Sequence, residues 1–226
     1  MTTHMIFDLD GTLVDSCATC VAILTEMRAE RGVHEAIDPV VARKYMSRGG
    51  TQMVAALLGP VCVDPVDDLA DFRQRYRQRD TPVETLFPGV MGGLNRLHSR
   101  GITLAICSNK PQALCDKVLD DTGLAPFFAS VVGGRPDLRP KPEADLLHAV
   151  LSDLDADARN CLFVGDSELD HRVAQAAVMP FVFMTYGYAD EAWAPGNCDI
   201  FDCFETMTSM VVARRLKVDV RASRAA

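Results

Sequence analysis

The chain has no apolar run approaching the length of a membrane span. Its first apolar stretch, Met5-Ile6-Phe7, stops at Asp8. A secretory signal needs more than that, and a transmembrane helix needs about 20 such residues. The expectation is therefore a soluble, cytoplasmic protein with no membrane partner. Basic charge is also scarce. Lys and Arg number 23 against 31 Asp and Glu, a formal charge of −8. Nucleic acid rewards a basic footprint, so it is not expected as a partner. Arg214, Arg215, Lys217, Arg221 and Arg224 gather near the C-terminus and read as a solvated tail. Cys17 and Cys20 form a C-x-x-C, but no second Cys pair or nearby His pair completes a zinc site. Several of the eight cysteines, such as Cys107 in ITLAIC and Cys161 in CLFV, lie in apolar runs and read as small buried hydrophobes.

What is present is an alternation. With 226 residues, 48% of them hydrophobic, the chain fits one large domain or a core with a smaller insert. Short apolar segments at 5–7, 102–107, 130–132, 161–164 and 181–184 read as buried parallel strands. Helical patterns at 91–100, 112–122, 144–151 and 168–177 separate them. The pattern predicts an α/β fold, a doubly wound parallel-sheet core. Residues 17 to about 85 break it, with helical patterns near 21–28, 40–46, 52–58 and 66–79 and no strand. This predicts a helical insert: residues 1–15 and 86–226 as the α/β core, 16–85 as a helical cap. Phe87-Pro88-Gly89 marks the return to the core. An insert at the C-terminal end of a strand sits where open α/β sheets bind ligands.

The densest chemistry lies in FDLDGTLVDS, residues 7–16. A calcium loop, a solvated turn and a reaction centre are the alternatives. An EF-hand loop starting at Asp8 would need Gly at its sixth position and Glu at its twelfth. Leu13 and Thr19 stand there, which excludes it. A plain acidic turn is the ordinary reading of a lone D-x-D, but these acids adjoin an apolar strand, where they need a cation or donors. Three other polar groups follow predicted strands or open predicted helices: Ser108-Asn109-Lys110, Arg139-Pro140-Lys141-Pro142 and Gly165-Asp166-Ser167-Glu168-Leu169-Asp170. In a parallel sheet such ends share one edge. The inventory suits phosphoryl transfer, in which a carboxylate attacks phosphorus, a second carboxylate moves protons, and a divalent cation and fixed donors balance the phosphoryl charge.

These motifs together resemble the haloacid dehalogenase superfamily of phosphohydrolases. D-x-D-G-T-L-x-D-S matches Asp8 to Ser16, the Ser/Thr motif Ser108-Asn109-Lys110, the lysine motif Lys141-Pro142, and G-D-S-x-x-D Gly165 to Asp170. The resemblance covers nearly the whole chain. It implies Asp8 as nucleophile and Mg²⁺ ligand, and Asp10 as general acid/base that also binds Mg²⁺ through its carbonyl. It implies Asp166 as a further metal ligand, with Asp170 supporting that shell. Ser108, Asn109 (through its backbone N–H), Lys141 and Gly11 would serve phosphoryl binding, Gly11 by letting the chain turn. Dehalogenases carry Tyr and phosphonate hydrolases Ala where Asp10 stands, so the phosphatases and phosphomutases are implied.

Within the superfamily, SNKP, GLAPFFASVVGG, RPKPEADLL, VGDSELD and TYGY resemble the phosphoglycolate phosphatase branch with its small helical cap. The implied activity is Mg²⁺-dependent hydrolysis of a small phosphorylated metabolite, 2-phosphoglycolate foremost, through an aspartyl-phosphate, by a monomer or homodimer. A β-phosphoglucomutase-type phosphomutase and a non-catalytic binding or regulatory protein of the same fold are the alternatives. Arg135 replaces the usual Asp after Gly133-Gly134, and Val178 replaces a helix-ending Gly after Ala177. Arg48, in Met46-Ser47-Arg48-Gly49-Gly50, is a candidate substrate contact or a merely solvated side chain. Asp15 reads as a helix N-cap, and Lys110 is given no role beyond capping or solvating the next helix.

Overall fold

The computed structural model describes residues 2–223, with side chains to residue 214. Six parallel strands form one sheet: β1 (His4–Phe7), β2 (Thr103–Pro111), β3 (Phe128–Gly134), β4 (Cys161–Gly165), β5 (Phe181–Met184) and β6 (Asp199–Phe201), in the order β3-β2-β1-β4-β5-β6. The helices are α1 (Cys17–Glu30), α2 (Pro39–Arg43), α3 (Gly50–Leu58), α4 (Pro65–Gln78), α5 (Val90–His98), α6 (Gln112–Asp121), α7 (Asp145–Asp153), α8 (Glu168–Ala176) and α9 (Phe204–Ser223). This is the doubly wound α/β architecture the alternation predicts.

Side chains alternate across the sheet with the period of a strand. Met5, Phe7, Leu104, Ile106, Leu162 and Val164 belong to one buried cluster, which Leu94 of α5, Val118 of α6 and Phe204 of α9 join. Ile6, Ala105, Cys107 and Phe163 belong to a second, with Leu147 of α7 and Val173 of α8. Both faces are covered, so the central strands read as continuous apolar runs rather than alternating ones.

Four helices, α1 to α4, lie between β1 and the rest of the sheet. Their starts are written locally. Asp38 accepts the Val40 N–H ahead of α2, and Asp64 accepts those of Val66 and Asp67 ahead of α4, each with Pro at the first helical position. Ile23, Leu24, Met27, Val54, Phe72 and Tyr76 give this segment a buried interior that joins the first cluster. The chain leaves and returns along one path. Val14 bridges Leu86 in antiparallel fashion, Asp15 N–H donates to Thr85 O at 2.7 Å, and Phe87 N–H donates to Leu13 O at 3.0 Å.

Two features go beyond the sequence expectation. β6 has three residues, too short to show a period. The basic C-terminal segment begins within a helix: α9 runs from Phe204 to Ser223, anchored by buried Phe204, Met207, Val211 and Val212, and the solvated-tail expectation is met at Arg214. The cause is helical spacing of apolar residues ahead of the charges. Arg214 lies exposed and pairs with Asp199 at 2.5 Å. The side chains of Arg215, Lys217 and Arg221, and all of Arg224, lie outside the described residues. No described helix is long and apolar enough to cross a membrane.

Candidate active site

β1 is the centre of the sheet. The chain adds β2 and β3 on one side of it and β4 to β6 on the other, so the order reverses there. At such a switch point the loops leaving neighbouring strands diverge and open a crevice. Phe7 pairs with Ile106 of β2 and Val164 of β4. The next residues, Asp8, Cys107-Ser108 and Gly165-Asp166, therefore emerge side by side.

The turn after β1 is tight. Leu13 and Val14 N–H both donate to Leu9 O, at 2.9 and 3.0 Å, and Gly11 N–H donates to Val14 O at 2.9 Å. Gly11 has φ +82°, and a Cβ there would lie 2.2 Å from Asp166 Oδ2. Both facts require glycine. Gly187 presses on Asp166 from the other side, where a Cβ would meet the Asp166 Cβ at 2.2 Å.

Buried around this turn is a chain of charges. Lys141 Nζ lies 2.9 Å from Asp8 Oδ1 and 2.6 Å from Asp170 Oδ1. The other Asp170 oxygen accepts Ser167 Oγ at 2.6 Å and the N–H groups of Ser167 and Asp166, in a capping box that starts α8. Asp166 accepts Thr12 Oγ1 at 2.9 Å and Tyr188 N–H at 2.6 Å. Asn109 fixes Lys141 from behind: its Oδ1 accepts Lys141 N–H at 2.7 Å and its Nδ2 donates to Lys141 O at 3.0 Å. Ser108 is buried and lines the same crevice.

Two carboxylates, Asp8 and Asp170, share the Lys141 ammonium, and Asp166 lies beside them without it. Burial pushes Asp8 up to about 6, against the pull of Lys141 and with the repulsion of Asp170 and Asp10 added. Burial, then Asp170 and Asp8, push Asp166 well above the usual carboxylate range. Burial would depress Lys141, but Asp170 and Asp8 hold it above its ordinary value.

A divalent cation fits this donor set. Asp8, Asp166 and Asp170 each offer an oxygen within 4.8 Å of the others. Asp8 Oδ1, although near Lys141, accepts no well-directed hydrogen bond among the described residues. Hard oxygen donors with excess negative charge are what Mg²⁺-sized ions require.

The remaining sequence candidates separate. Asp10 faces the crevice, and both its oxygens accept Lys110 Nζ, at 3.0 and 3.1 Å. Lys110 is buried over the Tyr76 ring at 4.3 Å, so it does not solvate the helix that follows it. Burial alone would lower its pKa, but Asp10 and then Tyr76 hold it above the usual value. Asp15 stands one residue before the N-cap of α1, which is Ser16, and accepts Cys17 N–H at 3.2 Å, Tyr188 Oη at 2.7 Å and Arg43 at 3.0 Å. Arg48 does not line the crevice. It pairs with Asp190 at 3.3 Å and stacks on Tyr45. Cys17 and Cys20 are buried free thiols, pushed up to about 11 and about 12 chiefly by burial.

The crevice has a volume of about 150 Å³ and is closed by Met53 of α3 and by Leu69, Phe72, Arg73 and Tyr76 of α4. Sequence reasoning singled out none of Arg73, Tyr76, Gly187 or Tyr188 for the site. TYGY, residues 185–188, marked the loop but not its contacts, because the Tyr188 bond to Asp166 is made by a backbone N–H that any residue carries.

Comparison with known proteins agrees with this architecture. The family model described as haloacid dehalogenase-like hydrolase matches residues 5–184. A phosphoglycolate phosphatase of Rhodospirillum rubrum is 35% identical over 213 residues, 90% of this chain and 88% of its own. A plasmid-encoded one of Cupriavidus necator is 33% identical over 221 residues, 95% of each chain. Among solved structures, a predicted phosphoglycolate phosphatase from Haemophilus somnus superimposes with TM-score 0.78 at 22% identity, covering 93% of this chain and 98% of that one. CbbY from Rhodobacter sphaeroides, in complex with phosphate, superimposes with TM-score 0.74 at 21% identity, covering 91% and 96%. At those identities the structures establish the fold. The family match over most of the length, with relatives above 30% identity spanning both chains, makes this protein a member of the haloacid dehalogenase-like hydrolases.

Proposed function

We propose that this hydrolase is a Mg²⁺-dependent phosphatase acting on a small phosphate monoester, with 2-phosphoglycolate the foremost substrate. The observation that carries this is the buried set Asp8, Lys141, Asp166 and Asp170, the first three lining a small crevice, with Asp10 two residues from Asp8. The phosphoglycolate phosphatase relatives support the choice of substrate.

An Asp8 carboxylate oxygen attacks phosphorus, and the bond to the ester oxygen breaks. Asp10 gives that oxygen a proton as the alcohol leaves. An aspartyl-phosphate on Asp8 results. Asp10 then takes a proton from water, whose oxygen attacks phosphorus. Inorganic phosphate leaves and Asp8 is restored. Lys141 holds Asp8 in place and supplies positive charge to the phosphoryl oxygens, with the Ser108 hydroxyl and the Asn109 N–H as directed donors. Asp8, Asp166 and the Asp10 carbonyl would hold Mg²⁺, with Asp170 orienting Asp166 and Lys141. Bound there, Mg²⁺ would neutralise phosphoryl charge. Residues 16–85 act as a cap on the core formed by 1–15 and 86–226, with the bridge between Val14 and Leu86 as its hinge.

The test is phosphate release from a panel of small monoesters, with Mg²⁺ and with EDTA, for wild type and Asp8→Asn. Turnover that needs Mg²⁺ and is lost in Asp8→Asn with the fold retained is expected. An active Asp8→Asn protein would remove Asp8 as nucleophile, and equal activity in EDTA would remove the metal.

A further inference from the structure

Three cations line the crevice: Lys110, Lys141 and Arg73. Two are committed to carboxylates of the site, Lys110 to Asp10 and Lys141 to Asp8 and Asp170. Arg73 has no acidic partner and no hydrogen bond among the described residues. It is half-buried on α4, amid the apolar wall made by Met53, Leu69, Phe72 and Tyr76. The charged group that bears on it is Arg77, one turn along the helix and of the same sign. Burial and Arg77 both press its charge toward loss. A partly buried arginine with no acidic partner is open to pairing with an anion.

A second feature opens on the same wall. α3 begins at Gly50 with no side chain capping its first N–H groups, and Gly49 and Gly50 both line the crevice. A Cβ on Gly50 would lie 2.9 Å from Leu69 Cδ1, so the start of α3 lies against α4 one turn before Arg73. Leu69, Arg73 and Tyr76 share one helix face. Uncapped N–H groups and a guanidinium thus border the same crevice, and both favour an anion. On the far side of Tyr76, its ring meets Lys110, which holds Asp10. The anion-favouring wall is thus set a short distance from the phosphoryl end.

We infer that Arg73, with the N-terminus of α3, binds a second anionic group on the substrate, a carboxylate carried a few atoms from the phosphate. Arg73 is then a specificity-determining residue that separates phosphorylated carboxylic acids from phosphate esters of neutral alcohols. The size of the crevice limits the acid to a short one. The inference rests on the phosphatase reading, and it places on α4 the substrate contact for which Arg48 was a candidate; Arg48 instead pairs with Asp190.

The experiment compares 2-phosphoglycolate with ethyl phosphate, which has similar length and no carboxylate. Wild type is expected to favour 2-phosphoglycolate in kcat/KM. Arg73→Met is expected to lower that value by about 10- to 100-fold, mostly through KM, while ethyl phosphate changes less than about threefold. Arg73→Lys should keep part of the preference, and Arg48→Met all of it. Loss of the same factor on both esters, or no loss on either, overturns the inference. Equilibrium binding separates this from failure of the phosphatase reading. Asp8→Asn protein should bind 2-phosphoglycolate more tightly than ethyl phosphate, and Asp8→Asn/Arg73→Met should bind the two alike. That comparison holds even if wild type turns over neither ester. A preference that survives in the double variant overturns the assignment of Arg73.

Discussion

Lys110 Nζ sits between the two carboxylate oxygens of Asp10, 3.0 and 3.1 Å away, and over the ring of Tyr76 at 4.3 Å. One side chain thus joins the sheet edge, the proposed proton donor and a helix of the insert. The forked contact fixes the plane of the Asp10 carboxylate. Lys110→Met keeps most of the volume and removes that constraint. It should slow leaving-group release from an alkyl phosphate by about 10- to 100-fold, the range of a misplaced general acid. Release from p-nitrophenyl phosphate, whose leaving group needs little protonation, should change by less than about threefold. Single-turnover release of each alcohol measures this, and equal slowing of both would remove the orienting role.

Asp166 is held by a loop that the insert also grips. Tyr188 N–H donates to Asp166, while Arg43 donates to Tyr186 O at 2.8 Å and Ser47 to Tyr188 O at 3.1 Å. Gly187 has no room for a Cβ beside Asp166. Gly187→Ala should displace the carboxylate and raise the Mg²⁺ concentration for half-maximal activity by at least about tenfold, as loss of outer-shell support does elsewhere. A Mg²⁺ titration at saturating substrate reads this directly. An unchanged midpoint would mean that Asp166 does not hold the metal.

Val178 ends α8 in the left-handed region, at φ +54°. Its N–H donates to Gln175 O at 3.0 Å and Met179 N–H to Ala174 O at 2.9 Å, the pair of bonds that closes a helix at a residue of this hand. The site wants glycine, and a β-branched side chain is strained there. Val178 is 80% exposed, so replacing it forfeits little burial. Val178→Gly should stabilise the protein by about 1 kcal/mol, or about 2–4 °C in Tm. Thermal unfolding with an unchanged or lower Tm would contradict this.

Asp68 is buried, and Arg31 grips both its oxygens, at 3.0 and 2.5 Å. That bond, offset in part by burial and helped by Cys62 and the Val63 N–H, lowers the Asp68 pKa from 3.8 to about 2. A carboxylate depressed on folding contributes stability above its unfolded pKa and loses it as pH falls through the folded one. Asp68→Asn should lower Tm by about 4–8 °C at pH 7, for a partly exposed pair worth about 2 kcal/mol. The gap to wild type should narrow as pH falls from about 5 toward 2. A gap constant across that window would show that the pair is not the source of the stability.

Much of the site was legible because its chemistry is written in side chains at the ends of apolar strands. Asp8 and Asp166 each follow a buried strand, Ser108 lies in the C-terminal half of β2, and parallel strands must end on one edge. Lys141 and Asp170 were placed near that edge by the helices they open, but their individual roles came only with the family resemblance. The interruption of strand periodicity from residue 17 marked the insert for the same reason: helical spacing and strand spacing cannot both be satisfied by one stretch.

Contacts between segments far apart in the chain were decided by the tertiary structure alone. In sequence Arg48 is the candidate substrate contact and nothing marks Arg73. Packing of α4 over the sheet edge turns Arg73 inward, while Asp190 draws Arg48 to the rim. Lys110 reads as a solvated helix-start lysine until Asp10 and Tyr76 surround it. Tyr188 serves Asp166 through a backbone N–H, a group every residue but proline has. Hydrophobic periodicity and turn chemistry are local, so they suffice to bring these groups to the strand ends. Which of them touch, and which charges are left without partners, depends on how the insert folds back on the sheet, and no local pattern encodes that.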